Sequence, residues 1–235
     1  MKAVLFDLDD TLYAEREFVE SGFRAVSRVV AQRSGRGEAE LCQRMMRLLD
    51  EQGRGSIFDT VLDECGTEGR SPDDVRLLLY VYRSHRPEIR LFPETRPLLA
   101  QLRASGFRLG IVTDGAGTVQ RNKIAALGLE PLVDAVVCTD ELGREWWKPS
   151  TTPFNVALAL LGVPPHEATY VGNDPGKDFA GPNALGMRTI QLGEWGRDAA
   201  IPEAYKAAHY IASLDEVPAL VGCAAIGQRV GTREH

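Results

Sequence analysis

Cysteine is scarce in this chain and poorly placed for linkage. Cys42, Cys65, Cys138 and Cys223 are four among 235 residues, with no CxxC pair. That excludes a disulfide framework or a zinc ribbon and reads as buried thiols in a reducing compartment. Long apolar runs are missing as well. None approaches the ~20 residues of a membrane helix, and Met1-Lys2 leads straight into a strand pattern rather than a secretory leader. A surplus of positive charge is also lacking: 27 Lys and Arg face 33 Asp and Glu, a net charge of -6. This argues against a nucleic-acid backbone as partner, because that binding needs clustered cations, but it leaves room for a small anion held by a few local ones. His85, His166, His209 and His235 show no ligand spacing. No internal repeat or low-complexity segment is present, and the tail after about Gly227 is expected to fray. With 44% hydrophobic and 26% charged residues, the composition is that of an ordinary globular protein, cytoplasmic, long enough for one large domain or a core with an insertion.

What is present is most informative at the start. The apolar run Ala3-Val4-Leu5-Phe6 reads as a buried strand and passes directly into Asp7-Leu8-Asp9-Asp10-Thr11-Leu12. A carboxylate is costly to bury unless it is paired or bound to a metal. Two of them two residues apart repel unless a cation lies between, so Asp7 and Asp9 point to a divalent metal site. The structural alternative for the pair is an N-cap or Asx turn.

The pattern then breaks. From about Tyr13 to Arg90 no buried strand is legible; apolar residues recur at helical spacing, as in Phe18, Phe23, Val26 and Val30, then Leu41, Met45 and Leu48. Gly35-Arg36-Gly37, Gly53-Arg54-Gly55 and Ser71-Pro72-Asp73-Asp74 punctuate this stretch into about four helices, with Ser71 as an N-cap before Pro72. After Phe92-Pro93, strands are predicted at 108–113, 135–139, 169–172, 188–192 and 209–212. Helices are predicted between them at 94–104, 118–127, 152–161 and 179–185. Such alternation implies an α/β parallel sheet with helices on both faces. The first strand then belongs with the later ones, giving a core of residues 1–13 and 91–235 and a helical insertion of residues 14–90.

Polar clusters fall where a parallel sheet gathers ligands, beyond the carboxyl ends of its strands. Thr113-Asp114-Gly115 offers a hydroxyl and backbone NH groups in a tight turn, suited to a phosphate. Trp146-Trp147-Lys148-Pro149 presents Lys148 as a point charge for a phosphoryl oxygen. Gly172-Asn173-Asp174-Pro175-Gly176-Lys177-Asp178 is an acidic loop suited to Mg²⁺, which prefers oxygen ligands. Gly115-Ala116-Gly117 lacks the remaining glycine and acidic partner of a dinucleotide fingerprint.

Asp7, Asp9 and Thr11 fill the pattern Asp-x-Asp-x-Thr, and the four clusters in this order resemble the motifs of the haloacid dehalogenase superfamily, in its phosphatase branch. That resemblance implies a Rossmann-like core with a helical-bundle cap inserted after the first strand, and Mg²⁺-dependent hydrolysis of a small phosphorylated metabolite through an aspartyl-phosphate. It further implies Asp7 as nucleophile and Asp9 as general acid and base. Thr11, Thr113, Asp114, Gly115 and Lys148 would contact the phosphoryl group. The metal would be held by Asp7, Asp9 and the acidic loop, from which Asn173, Asp174 and Asp178 are candidates. The family usually has Asp directly after the loop glycine, where this chain has Asn173, so either Asn173 or Asp174 is the direct ligand. Asp178 would bond a metal-bound water or orient Lys148.

Other readings of the same residues stay open: a phosphosugar mutase sharing this core, or a degenerate binding member, for which Asn173 is the one support. A dehalogenase is disfavoured chemically, since halide displacement needs neither Mg²⁺ nor the second acid Asp9. Tyr13, Arg16 and Phe18, just past the catalytic strand, are candidates to touch substrate. The arginines Arg24, Arg28, Arg33, Arg44 and Arg47 read as a solvated helix face. The identity of the substrate and the oligomeric state are not legible in one sequence.

Overall fold

The protein is described by a computed structural model over residues 2–66, 71–194 and 200–223; the predicted fraying tail lies outside the described residues. The strands are β1 (Ala3–Phe6), β2 (Arg108–Thr113), β3 (Ala135–Cys138), β4 (Ala168–Gly172), β5 (Arg188–Leu192) and β6 (His209–Ile211). The helices are α1 (Glu15–Ser34), α2 (Glu38–Gln52), α3 (Ile57–Glu64), α4 (Pro72–Ser84), α5 (Thr95–Ala104), α6 (Gly117–Leu127), α7 (Thr152–Leu161), α8 (Ala180–Ala184) and α9 (Val217–Val221). Among the described residues no helix is long and apolar enough to cross a membrane. The backbone divides into two compact units: residues up to 13, 91–117 and from 128 onward, and residues 14–90 with 118–127. Residues 118–127, read from the sequence as the helix after the second strand, group with the second unit.

In the first unit every strand pair is parallel and the order is β3-β2-β1-β4-β5-β6. β1 is therefore central, flanked by β2 and β4, and the chain reverses direction of travel across the sheet beside it. Its four residues are all buried. That is why the strand reads as an unbroken apolar run rather than an alternating one, since a parallel sheet is covered on both faces. Ala3, Leu5, Val112, Val137 and Tyr170 pack with Phe154, Ala157, Leu158 and Leu161 of α7. Side chains alternate along a strand, so Val4, Phe6, Leu109 and Ile111, equally buried, form the opposite face; α5 packs against β2. Burying a side chain of this size is worth about 1.5–3 kcal/mol, so each substitution in β1 weakens the layer its side chain faces.

The second unit is built on helices. α1 packs on α2 and α4, and α2 on α3, through Val19, Phe23, Val26, Val30, Leu41, Met45, Leu48, Phe58 and Val61, the 3.6-residue spacing visible in the sequence. α4 opens on the expected N-cap: the Ser71 hydroxyl accepts from the Asp73 amide at 3.2 Å, and the Asp74 carboxylate accepts from the Ser71 amide at 3.0 Å. Gly22, in mid-helix, has a specific reason to be glycine. A Cβ there would lie 2.5 Å from the Tyr82 ring, so its absence lets α4 approach α1, at a helix-propensity cost of about 1 kcal/mol.

The predicted elements agree with those observed to within a residue at each end. The short α9 was not predicted, although Ser213 and Glu216 form a capping box just before it. None of the four cysteines is in a disulfide, but only Cys42 and Cys138 are buried; Cys65 and Cys223 are half-exposed, which corrects the expectation of four buried thiols.

Candidate active site

Asp7 follows β1 at the point where the sheet holds it on two sides. Phe6 is in register with Ile111 of β2 and Val171 of β4, and the Asp7 amide donates to the Val171 carbonyl at 2.8 Å. Its side chain is 1% exposed, and neither carboxylate oxygen has a well-aligned hydrogen bond. Two ammonium groups compensate instead: Lys148 Nζ stands 2.9 Å from Oδ1 and Lys177 Nζ 3.6 Å from Oδ2. Burial is the largest influence on Asp7 and opposes its charge, yet Lys148 and Lys177 together outweigh it and hold the carboxyl below its ordinary range.

Lys148 is itself fixed. Its ammonium donates to Asp178 Oδ1 at 2.7 Å and to the Tyr170 hydroxyl at 3.1 Å. Burial disfavours the charged lysine most strongly, but the carboxylates of Asp178 and Asp7 reverse that and raise its pKa well above the ordinary value. The Lys148–Pro149 peptide is cis. Asp178 is wholly engaged: Oδ1 takes Lys148 and lies 3.3 Å from the Tyr170 hydroxyl, while Oδ2 accepts the amides of Asn173 at 3.1 Å and Asp174 at 2.9 Å. Burial raises its pKa in spite of Lys148. Gly172 makes this close approach feasible, since a Cβ there would sit 2.6 Å from Asp178 Oδ2.

Asp9 lies on the turn that follows. The Leu12 amide donates to the Leu8 carbonyl at 3.0 Å, and Asp10 adopts a left-handed φ of 53°, a conformation that Asp tolerates better than bulky residues. Asp9 is half-buried and accepts from the Tyr13 hydroxyl. Thr11 is fully buried, with its hydroxyl 3.5 Å from Asn173 Oδ1. Thr113 is buried at the end of β2. The Asp114 carboxylate accepts from the Thr139 hydroxyl at 2.7 Å and the Lys148 amide at 3.2 Å, so this side chain fastens the loop that carries Lys148. Gly115, with φ of 124°, turns the chain directly after it.

Sequence reasoning missed three members of the site. Lys177 was legible as a lone cation inside an acidic loop. Tyr170 was legible as a hydroxyl in a buried strand, which needs a partner. Tyr13 was expected to touch substrate but is fully buried and bonded to Asp9. Phe18 is buried against Tyr82, and Arg16 is spent on a bidentate pair with Asp50 at 2.6 and 2.8 Å. The expectation of substrate contact is thus corrected for Tyr13 and Phe18. Of the arginine-rich faces, Arg33 pairs with Asp74 at 2.8 Å and Arg44 with Glu64 at 2.7 Å.

Among the described residues no three His, Cys, Asp or Glu side chains gather as a metal cluster. The donors that could hold a hard cation are nonetheless of the right kind. Asp7 offers two buried oxygens with no well-aligned hydrogen bond, and Asn173 offers an amide oxygen, which such a cluster of acids would not include. Asp174 Oδ1 already accepts the Gly176 amide at 2.8 Å.

A family model described as haloacid dehalogenase-like hydrolase matches residues 4–192. The chain is 34% identical to a glyceraldehyde 3-phosphate phosphatase of Methanopyrus kandleri, over 82% of this chain and 84% of that one. To a ribulose-1,5-bisphosphate 5-phosphatase of Halopiger xanaduensis it is 32% identical, over 93% and 98%. Among solved structures it resembles a HAD phosphatase from Thermococcus onnurineus, with 26% identity, 95% and 99% coverage and a TM-score of 0.61. A 2-haloacid dehalogenase from Pseudomonas syringae pv. Tomato matches with 28% identity, 94% and 98% coverage and a TM-score of 0.66.

Proposed function

The chain belongs to the haloacid dehalogenase-like hydrolase family and is a phosphate-ester hydrolase; from that premise we propose that it hydrolyses a small-molecule phosphate monoester through an aspartyl-phosphate on Asp7. The observation that carries this reading is the state of Asp7: kept ionised by two lysines and shielded from water at the end of the central strand. A carboxylate kept charged at a strand end, where ligands gather, is suited to act as a nucleophile.

Asp7 attacks phosphorus, forming an O–P bond as the ester O–P bond breaks. Asp9, steadied by Tyr13, protonates the departing alkoxide and then takes a proton from the water that cleaves the aspartyl-phosphate, releasing inorganic phosphate. Thr113, the amides of Asp114 and Gly115, and Lys148 receive the phosphoryl oxygens, where fixed charge is most effective. Asp7, the main-chain carbonyl of Asp9 and the acidic loop would hold magnesium, which would supply positive charge to offset that of the phosphate. The proximity of Asn173 to Thr11 supports Asn173 as the loop ligand, whereas Asp174 closes its own turn. The four contacts of Asp178 support the role of orienting Lys148 over that of bonding a metal-bound water.

The helical unit is read as the family's substrate-selecting cap. The relatives' named substrates support a small phosphorylated sugar, and the absence of a membrane-spanning helix among the described residues agrees with a cytoplasmic setting. The test is phosphate release from a panel of monoesters, p-nitrophenyl phosphate and glyceraldehyde 3-phosphate included, with Mg²⁺ or EDTA. Asp7→Asn is expected to lose about 10³-fold or more of the activity, and EDTA to abolish it. Release that survives Asp7→Asn would overturn the covalent route, and an isomeric sugar phosphate in place of free phosphate would mark a mutase.

A further inference from the structure

Two lysines reach Asp7, and they are held very differently. Lys148 has no exposed side-chain surface and is fixed by Asp7, Asp178 and Tyr170. Lys177 keeps 31% of its side chain exposed, and its ammonium lies 3.6 Å from Asp7 Oδ2, beyond hydrogen-bond range. It is a charge on a flexible stem, attracted to a buried carboxylate without being bonded to it. Counting charges, Asp7 and Asp178 contribute two negatives and Lys148 one positive, so Lys177 brings these four side chains to neutrality. The acidic loop has Asn173 directly after its glycine, so that position adds no negative charge with which to attract a cation.

We propose that Lys177 is a resident counter-ion for Asp7 that a divalent cation must displace, so that this side chain sets how much metal the enzyme needs. The inference rests on the reading of Asp7 as a magnesium-dependent nucleophile. With the metal absent, the ammonium neutralises a carboxylate that would otherwise be half-compensated in a dry site. With Lys177 swung outward into solvent and a divalent ion in its place, the same cluster carries a net positive charge, which suits a dianionic phosphate monoester better than the neutral state does.

The experiment is calorimetric titration of Mg²⁺ into metal-stripped protein without substrate, alongside melting curves in EDTA and in saturating Mg²⁺. Lys177→Met should bind Mg²⁺ about tenfold or more tightly than wild type and melt lower than wild type in EDTA, the gap closing as Mg²⁺ is added. Lys177→Arg, which keeps the charge, should stay near wild type. Lys206→Met, which removes an exposed lysine paired with Glu203 at 2.8 Å, should leave Mg²⁺ affinity unchanged. Should Lys177→Met fail to fold, Lys177→Gln carries the same expectation. Unchanged or weaker Mg²⁺ binding in the uncharged variant overturns the inference alone, as does an equal gain in Lys206→Met. No Mg²⁺ uptake by wild type or any variant overturns the magnesium reading together with it.

Discussion

In the sheet unit the charged side chains Asp7, Lys148 and Asp178 are packed out of water just beyond the strand ends, whereas in the helical unit Arg16, Arg33 and Arg44 meet Asp50, Asp74 and Glu64 at the surface. Lys123 is an exception in the second unit, buried over the Phe18 ring at 4.4 Å. Buried pairs are seldom a net gain in stability, because desolvation offsets the attraction; exposed pairs add little for the opposite reason, being screened. Neither set explains why the protein stays folded, which is the task of the apolar layers around β1 and of the α1 to α4 cluster. The difference lies in what removal does. Deleting one partner of the buried set strands an uncompensated charge, while deleting one from the exposed set hands its partner to water.

The sharpest test of that contrast is Lys148→Met. It should cost about 3–5 kcal/mol in urea unfolding, because Asp7 and Asp178 lose their shared cation, and it should abolish phosphate release. A loss under 1 kcal/mol would mean that Lys177 alone can carry both carboxylates. Next in size is Tyr13→Phe, which removes the hydroxyl from Asp9 and keeps the ring. A fall in kcat of about tenfold or more with KM nearly unchanged is expected, together with a shifted pH profile. An altered KM with intact kcat would return Tyr13 to the substrate-contact role first expected of it.

A smaller effect should come from His85 in the helical unit. Burial holds its imidazole below the ordinary histidine pKa, against a 2.6 Å contact from Nδ1 to the Tyr82 carbonyl and the charge of Glu88. Lys123 acts in the same direction as burial. The unfolded chain therefore binds the proton more readily than the folded one. Stability should fall as pH drops below the ordinary histidine pKa of 6.5 toward the lowered folded value. His85→Gln should flatten that slope in melting curves, and an unchanged slope would assign the acid sensitivity elsewhere. Smallest of all, Arg44→Ala should leave both the urea midpoint and phosphate release close to wild type; a large loss there would erase the distinction between the two units.

Legibility in the sequence followed the same division. β1 showed because burial on both faces leaves an unbroken apolar run, and the cap of α4 showed because Ser71, Pro72 and Asp74 are close together in the chain. The four polar clusters showed because each follows a strand. What stayed hidden depends on approach in space. Tyr170 and Lys177 acquire roles only because β4 lies beside β1, which places residues more than 160 positions away against Asp7. Asp114 was expected to offer its backbone NH to phosphate; that its side chain also braces the lysine loop stayed hidden, because that role is set by where β3 ends. Tyr13 and Phe18 were misjudged for a simpler reason: nearness in sequence to a catalytic strand says nothing about which way a side chain is packed.

The hydrogen bond from the Asp7 amide to the Val171 carbonyl has a consequence for how the enzyme would fail. Because the nucleophile's own peptide group is part of the central ladder, its exchange with solvent deuterium should rank among the slowest in the chain, released only when the sheet opens as a whole. Inactivation by urea would then coincide with the loss of the sheet rather than precede it, and a denatured fraction would be silent instead of sluggish.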